Sequence, residues 1–182
     1  ILSLCLFILS CHHKHKLNDK EIVSSPEQMD ERIADVIKTT LQFVLENKGK
    51  VDDRISLKMD SEVNYFYSNN DYQNIWSSKE KWQPMADSLF QFIQDAELAG
   101  LFPKDYNVKK LSSLKTMLDA DSVKRMDAVL WSKADVILTD ACLHIIKDLK
   151  YGRLWQDSAV LANDTSTLAV NLISMQQALV AQ

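Results

Sequence analysis

Residues that break helices are scarce in this chain. Three glycines and three prolines occur among 182 residues: Gly49, Gly100 and Gly152, with Pro26, Pro84 and Pro103. Sandwiches and barrels need turn residues at short, regular intervals, so this scarcity disfavours an all-β fold. Cysteine is equally rare. Cys5 and Cys11 lie at the N-terminal end and only Cys142 falls in the body of the chain, so no internal disulfide is expected there. Excess positive charge is also missing. The formal net charge is −4, and the basic residues form no stripe interleaved with aromatics, which excludes a nucleic-acid-binding surface as the main function. There is no phosphate-binding glycine loop, no His-Glu-x-x-His and no Gly-x-Ser-x-Gly. No cofactor or metal is therefore expected.

What is present begins with an apolar run, Ile1 to Leu9. It is too short to span a bilayer, which takes about 20 apolar residues, and has the length of a signal-peptide hydrophobic region. It closes on Ile8-Leu9-Ser10-Cys11, a lipobox-like ending in which small Ser10 would admit a signal peptidase and Cys11 would take the lipid. With no initiating Met and no basic leader, residues 1–10 read as a partial lipoprotein signal peptide. Residues 11–24, with His12, His13 and His15, read as a lipid-anchored polar tether. The three histidines could bind a metal, but a flexible cationic linker near anionic head groups explains them without one. Residues 25–182 read as a single helical domain. Its last segment, Thr167 to Ala181, stops with no terminating residue, so truncation of the domain is expected.

Inside that domain the apolar spacing is helical. Ser25-Pro26-Glu27-Gln28 predicts a capped start, followed by Met29, Ile33, Val36, Ile37, Leu41, Val44 and Leu45 at helical spacing, with Gly49 in the left-handed position beyond the end. Ile55 to Tyr67 suggests a short helix, and Ser68 to Asp71 a turn. Ser77-Ser78-Lys79-Glu80 predicts a second capping box, carrying a helix through Pro84 whose stripe is Met85, Leu89, Phe92, Ile93, Ala96 and Ala99. Gly100 should end it, with Leu101 folding back. Pro103 to Tyr106 is a chain reversal and Val108 to Leu118 a short helix. The longest helix is predicted from about Val123 to Tyr151. Val123, Met126, Leu130, Ala134, Ile137, Ala141 and Ile145 mark its main face. Lys133, Asp140, His144 and Lys147 mark a wetter one. Gly152 ends this helix, and Arg153 either pairs with an acidic residue in the core or sets a cation at the helix's negative end. The fold class predicted is all-α, a compact multi-helix domain around one long central helix.

Candidate chemistry is thin. Cys142 sits mid-helix between Ala141 and Leu143, the setting of a core cysteine rather than an activated nucleophile. Asp140, His144 and Asp148 share a helical face at i, i+4, i+8. They form either an exposed ion-pair ladder or part of a metal site built on His144. Tyr65, Phe66, Tyr67, Tyr72, Trp76 and Trp82 form either a glycan platform or core. Asp105 is read as a cap for backbone groups after Pro103, and Tyr106 as the anchor of that loop.

Two stretches resemble a known family. One is Gly100-Leu101-Phe102-Pro103-Lys104-Asp105-Tyr106. The other is Leu138-Thr139-Asp140-Ala141 together with Leu149-Lys150-Tyr151-Gly152-Arg153. Across roughly residues 65–153 the chain resembles the helical N-terminal scaffold region of the large bacterial murein L,D-transpeptidases. Gly100, Pro103, Asp105, Tyr106, Thr139, Asp140, Gly152 and Arg153 are the positions matching its motifs. The family's catalytic Ser-His-Gly-Cys, on a separate downstream domain, occurs nowhere in this sequence, so no catalytic residue is carried over. The resemblance implies a non-catalytic scaffold within an enzyme that cross-links peptidoglycan through a cysteine thioester. Its partners would be peptidoglycan, reached through the catalytic part, and the membrane, reached through lipid on Cys11. Its place would be the periplasmic cell envelope, anchored to the outer membrane. A stand-alone envelope lipoprotein that binds peptidoglycan or a protein partner is the alternative.

Overall fold

A computed structural model describes residues 17–153, so the expectations for Cys11, the signal, residues 11–16 of the tether and the segment from Trp155 onward lie outside the described residues. The described part is mostly helical. In chain order it contains α1 (Met29–Glu46), a two-stranded hairpin β1 (Lys50–Asp52) and β2 (Ile55–Ser56), and α2 (Asp60–Ser68). A second hairpin follows, β3 (Ser77–Ser78) and β4 (Lys81–Trp82), then α3 (Pro84–Gln94), α4 (Val108–Ala120), the single turn α5 (Ser122–Arg125) and α6 (Ala128–Tyr151). Both hairpins are antiparallel. None of the described helices is long and apolar enough to cross a membrane.

The 24-residue α6 is the axis of the fold, about 36 Å long at the helical rise of about 1.5 Å per residue. Helices α1, α2, α3 and α4 all pack on it. A helix surrounded in this way must be apolar on several sides. Accordingly Trp131, Ala134, Ile137, Leu138, Ala141 and Leu143 are all buried. Opposite them, α1 buries Met29, Ile33, Ile37, Leu41 and Val44 as their spacing predicts, whereas Val36 is half-buried and Leu45, expected on the same stripe, is exposed.

The long helix starts later than predicted. Val123 is exposed, and α5 and α6 are separate. Each has its own aspartate cap. Asp121 accepts from the N–H of Val123 at 2.9 Å and of Lys124 at 3.1 Å, while Asp127, in extended conformation, accepts from Val129 N–H at 3.1 Å. A capping residue leaves the helical backbone, so two caps six residues apart divide what the apolar spacing alone reads as continuous. Asp127 also accepts from Glu21 N–H at 3.0 Å, which ties the N-terminal segment to the break.

Neither predicted capping box forms. Ser25 makes no side-chain cap bond, and Gln28 instead accepts from Ser24 Oγ at 3.1 Å. Ser77 and Ser78 lie in a hairpin, paired with Trp82 and Lys81, and the helix begins at Pro84. Gln83 precedes a proline and is extended, as the proline ring requires, so no helix can run through it from Ser77. Asp30 on α1 holds the hairpin instead, accepting from Lys79 N–H at 2.6 Å, Ser78 Oγ at 3.3 Å and Asn74 Nδ2 at 3.2 Å. In α3 the buried stripe is Ala86, Phe90 and Ile93, and Phe92 is on the outside.

Gly100 behaves as predicted. Its φ is +72°, it follows a 3-10 turn, Ala96–Ala99, and it donates to Glu97 O at 3.0 Å while Leu101 donates to Ala96 O at 3.0 Å. These are the two bonds of a left-handed helix terminator, with Leu101 folded back into the core. After α1 the assignment shifts by one residue: Lys48 takes the first left-handed position at φ +56° and Gly49 follows at +82°.

Candidate functional site

Three groups of polar side chains occupy the length of α6, and each joins it to a different part of the chain. The deepest is centred on Asp135. Its carboxylate accepts from Tyr67 OH at 2.6 Å and from the backbone N–H groups of Ile75 and Trp76, both at 3.1 Å. One turn on, Thr139 Oγ1 accepts from Trp76 Nε1 at 2.8 Å, lies 2.7 Å from Tyr67 OH and donates to Asp135 O at 3.0 Å. Asp135, Thr139, Tyr67 and Trp76 are each at most 1 % exposed. Burial pushes Asp135 up to about 7, although the Tyr67 hydroxyl and the two backbone donors favour its charged form. Tyr67 is raised well above the ordinary tyrosine range, first by burial and then by the Asp135 charge.

The second group is Asp140. It lies 1 % exposed, not on the wetter face its position in the ladder implied. Its Oδ1 accepts from Lys58 N–H at 2.7 Å and Met59 N–H at 2.8 Å. Met59 precedes α2 and its own side chain offers no cap, so an aspartate 81 positions away in sequence anchors the approach to that helix. Burial raises Asp140 to about 6, against those two backbone donors.

At the C-terminal end of α6 the two resemblance motifs meet. Tyr106, fully buried, donates its OH to Asp148 Oδ2 at 2.7 Å, and burial lifts its pKa. Arg153 Nη2 pairs with Asp105 Oδ2 at 2.6 Å, and its guanidinium lies 3.9 Å from the Phe102 ring centroid. Pro103 opens the 3-10 turn bearing Asp105 and Tyr106. Gly152 follows α6 at φ +80° and its N–H donates to Asp148 O at 2.9 Å. Asp105 is therefore an ion-pair partner rather than the backbone cap expected of it, while Tyr106 is the loop anchor.

The Asp140–His144–Asp148 ladder does not exist as a unit. Asp140 is committed to α2, and only His144 and Asp148 face one another, at 3.5 Å. His144 packs edge-on against Tyr106, and burial lowers its pKa while Asp148 opposes that shift. Among the described residues no three His, Cys, Asp or Glu side chains are grouped to hold a metal. Cys142 is partly buried against the core and burial pushes its thiol up to about 12, the reverse of nucleophile activation. Of the aromatic cluster, Phe66, Tyr67 and Trp76 are core, with Trp82 packed on Phe90 and Trp131. That leaves no continuous aromatic platform.

Sequence reasoning missed Asp135. Its signal was available: Asp135 and Thr139 are one turn apart among apolar residues, and a carboxylate on a buried helical face requires donors from another element. The Asp135, Asp140 and Tyr106–Asp148 contacts fasten α6 to other parts of the chain. In sequence, residues 61–182 match the Scaffold domain family, and the chain belongs to that family. No curated protein and no solved structure shows a significant match to the chain.

Proposed function

We propose that this domain is the non-catalytic scaffold of a peptidoglycan L,D-transpeptidase, held in the bacterial envelope by lipid on Cys11. One observation carries the reading: the two stretches that resemble that enzyme family come together in space, through Asp105–Arg153 and the approach of Tyr106 to the last turns of α6. A shared motif whose separate halves form one joint is more specific than either half alone. The scaffold role is to hold its helices in register, with a catalytic unit bearing Ser-His-Gly-Cys further along the chain.

The test is to read the gene beyond the codon for Gln182 and to incubate the encoded full-length protein with disaccharide-tetrapeptides. A downstream Ser-His-Gly-Cys and cross-linked product are the expected results. A stop codon directly after Gln182 would discard the transpeptidase reading in favour of a lipoprotein that binds without catalysis.

A further inference from the structure

An open recess of about 620 Å³ lies between the first hairpin, the Pro103–Tyr106 turn and the start of α4. Arg54, Lys104, Lys109 and Lys110 supply half of its lining. Ile55, Asn107, Val108 and Ser113 supply the rest, and no acidic residue takes part. In a chain of net charge −4 this is a local reversal of sign. The cations are poorly neutralised. Lys110 faces Asp52 at 3.9 Å, and Arg54, Lys104 and Lys109 form no salt bridge among the described residues.

The start of α4 deepens the imbalance. A helix N-terminus is electropositive and favours acidic residues. Helix α4 has none in its first turn, carries Lys109 and Lys110 there instead, and receives no side-chain cap from Asn107. Asn107 itself sits at φ +56° and lines the recess beside Val108, the first residue of the helix. Lysines placed against the helix dipole weaken the fold locally, and an anion in the recess would reverse that cost. The recess is open and has room for a short segment of chain. Half-buried Val108 offers a contact for small aliphatic side chains between the charges.

We propose that this recess binds a short acidic peptide, its carboxylates paired with Arg54, Lys104 and Lys109 and its apolar side chains against Val108. The assignment does not depend on which enzyme the scaffold serves. The test is an NMR titration of the 182-residue chain with an end-blocked hexapeptide of alternating Glu and Ala, at low salt. Saturable shifts at Arg54, Asn107 and Lys109 are expected, with affinity falling by about tenfold or more at physiological salt as exposed charges are screened. Arg54→Glu combined with Lys109→Glu should abolish the shifts, and Lys109→Glu alone should raise the thermal midpoint by restoring an acid to the first turn of α4. The proposal is overturned if the peptide causes no saturable shifts, if the Gln-Ala analogue binds equally, or if the double variant binds unchanged while circular dichroism shows it folded. It is also overturned if anionic phospholipid vesicles, but not the peptide, shift the same residues.

Discussion

The middle of α6 and its C-terminal end use the same chemistry to different effect. Both join a tyrosine hydroxyl to an aspartate, Tyr67 to Asp135 at 2.6 Å and Tyr106 to Asp148 at 2.7 Å. In the middle, the carboxylate also takes two backbone N–H groups, and the tyrosine shares Thr139 with Trp76. Every member is buried, so each bond removed strands a partner away from water. At the end, among the described residues, the Asp148 carboxylate meets Tyr106 and, at 3.5 Å, His144. Tyr106 is as buried as Tyr67, but no described backbone N–H of another segment depends on this carboxylate. An identical pair of side chains thus organises two segments in one place and anchors a single loop in the other, and the number of groups that share the carboxylate makes the difference.

The largest effect should follow loss of the central carboxylate. Asp135→Ala leaves the N–H groups of Ile75 and Trp76 and the Tyr67 hydroxyl without their acceptor. It should cost about 3–5 kcal/mol, read as a shift in the urea midpoint. A cost below about 1 kcal/mol would remove the distinction between the two regions. Next in size is the pH dependence. Asp135 and Asp140 are raised to about 7 and about 6 when folded, against about 3.9 when unfolded. Across pH 4 to 7 the folded state therefore holds protons that the unfolded state has released, and stability should fall as pH rises through that window. His144, lowered by burial, acts in the opposite sense below about pH 6.5. The difference between the wild type and Asp135→Asn isolates the contribution of Asp135, and its slope should be negative over pH 4 to 7.

At the C-terminal joint, Tyr106→Phe should cost about 1.5–3 kcal/mol, the range for a single hydrogen bond to a charged group, read as a shift in the urea midpoint. Smallest should be Arg153→Ala, at most about 1 kcal/mol for a half-exposed ion pair. Its destabilisation should shrink further in concentrated salt, which thermal melts at low and high ionic strength will detect.

How much of this was legible in the sequence follows from where the determining interactions lie. The α1 stripe and the terminator at Gly100 depend on neighbours a few positions away, and both were legible, although the stripe wrongly took in exposed Leu45. So was Cys142, whose apolar flanks are sequence neighbours. Ser77 failed as a cap because its fate depends on Asp30, which holds the adjoining Ser78 and Lys79 from 48 and 49 positions away. Asp140 was placed on the wet face because helical periodicity alone cannot show that Lys58 and Met59 would come to meet it. The break between α5 and α6 is an intermediate case. Asp121 and Asp127 are visible cap residues, but an apolar pattern continuous across both concealed them. The positions of the resemblance were found as single residues, and only the fold joins Asp105 to Arg153.

The central claim is that the Asp135 group acts as one cooperative unit. A double-mutant cycle on Tyr67→Phe and Asp135→Asn measures this directly, by urea unfolding at pH 8, where the carboxylate is ionised. The account predicts a coupling energy of about 1–3 kcal/mol, the range for residues within one buried hydrogen-bond network. Additivity within about 0.3 kcal/mol would contradict it, because each side chain would then contribute to the fold independently of the other.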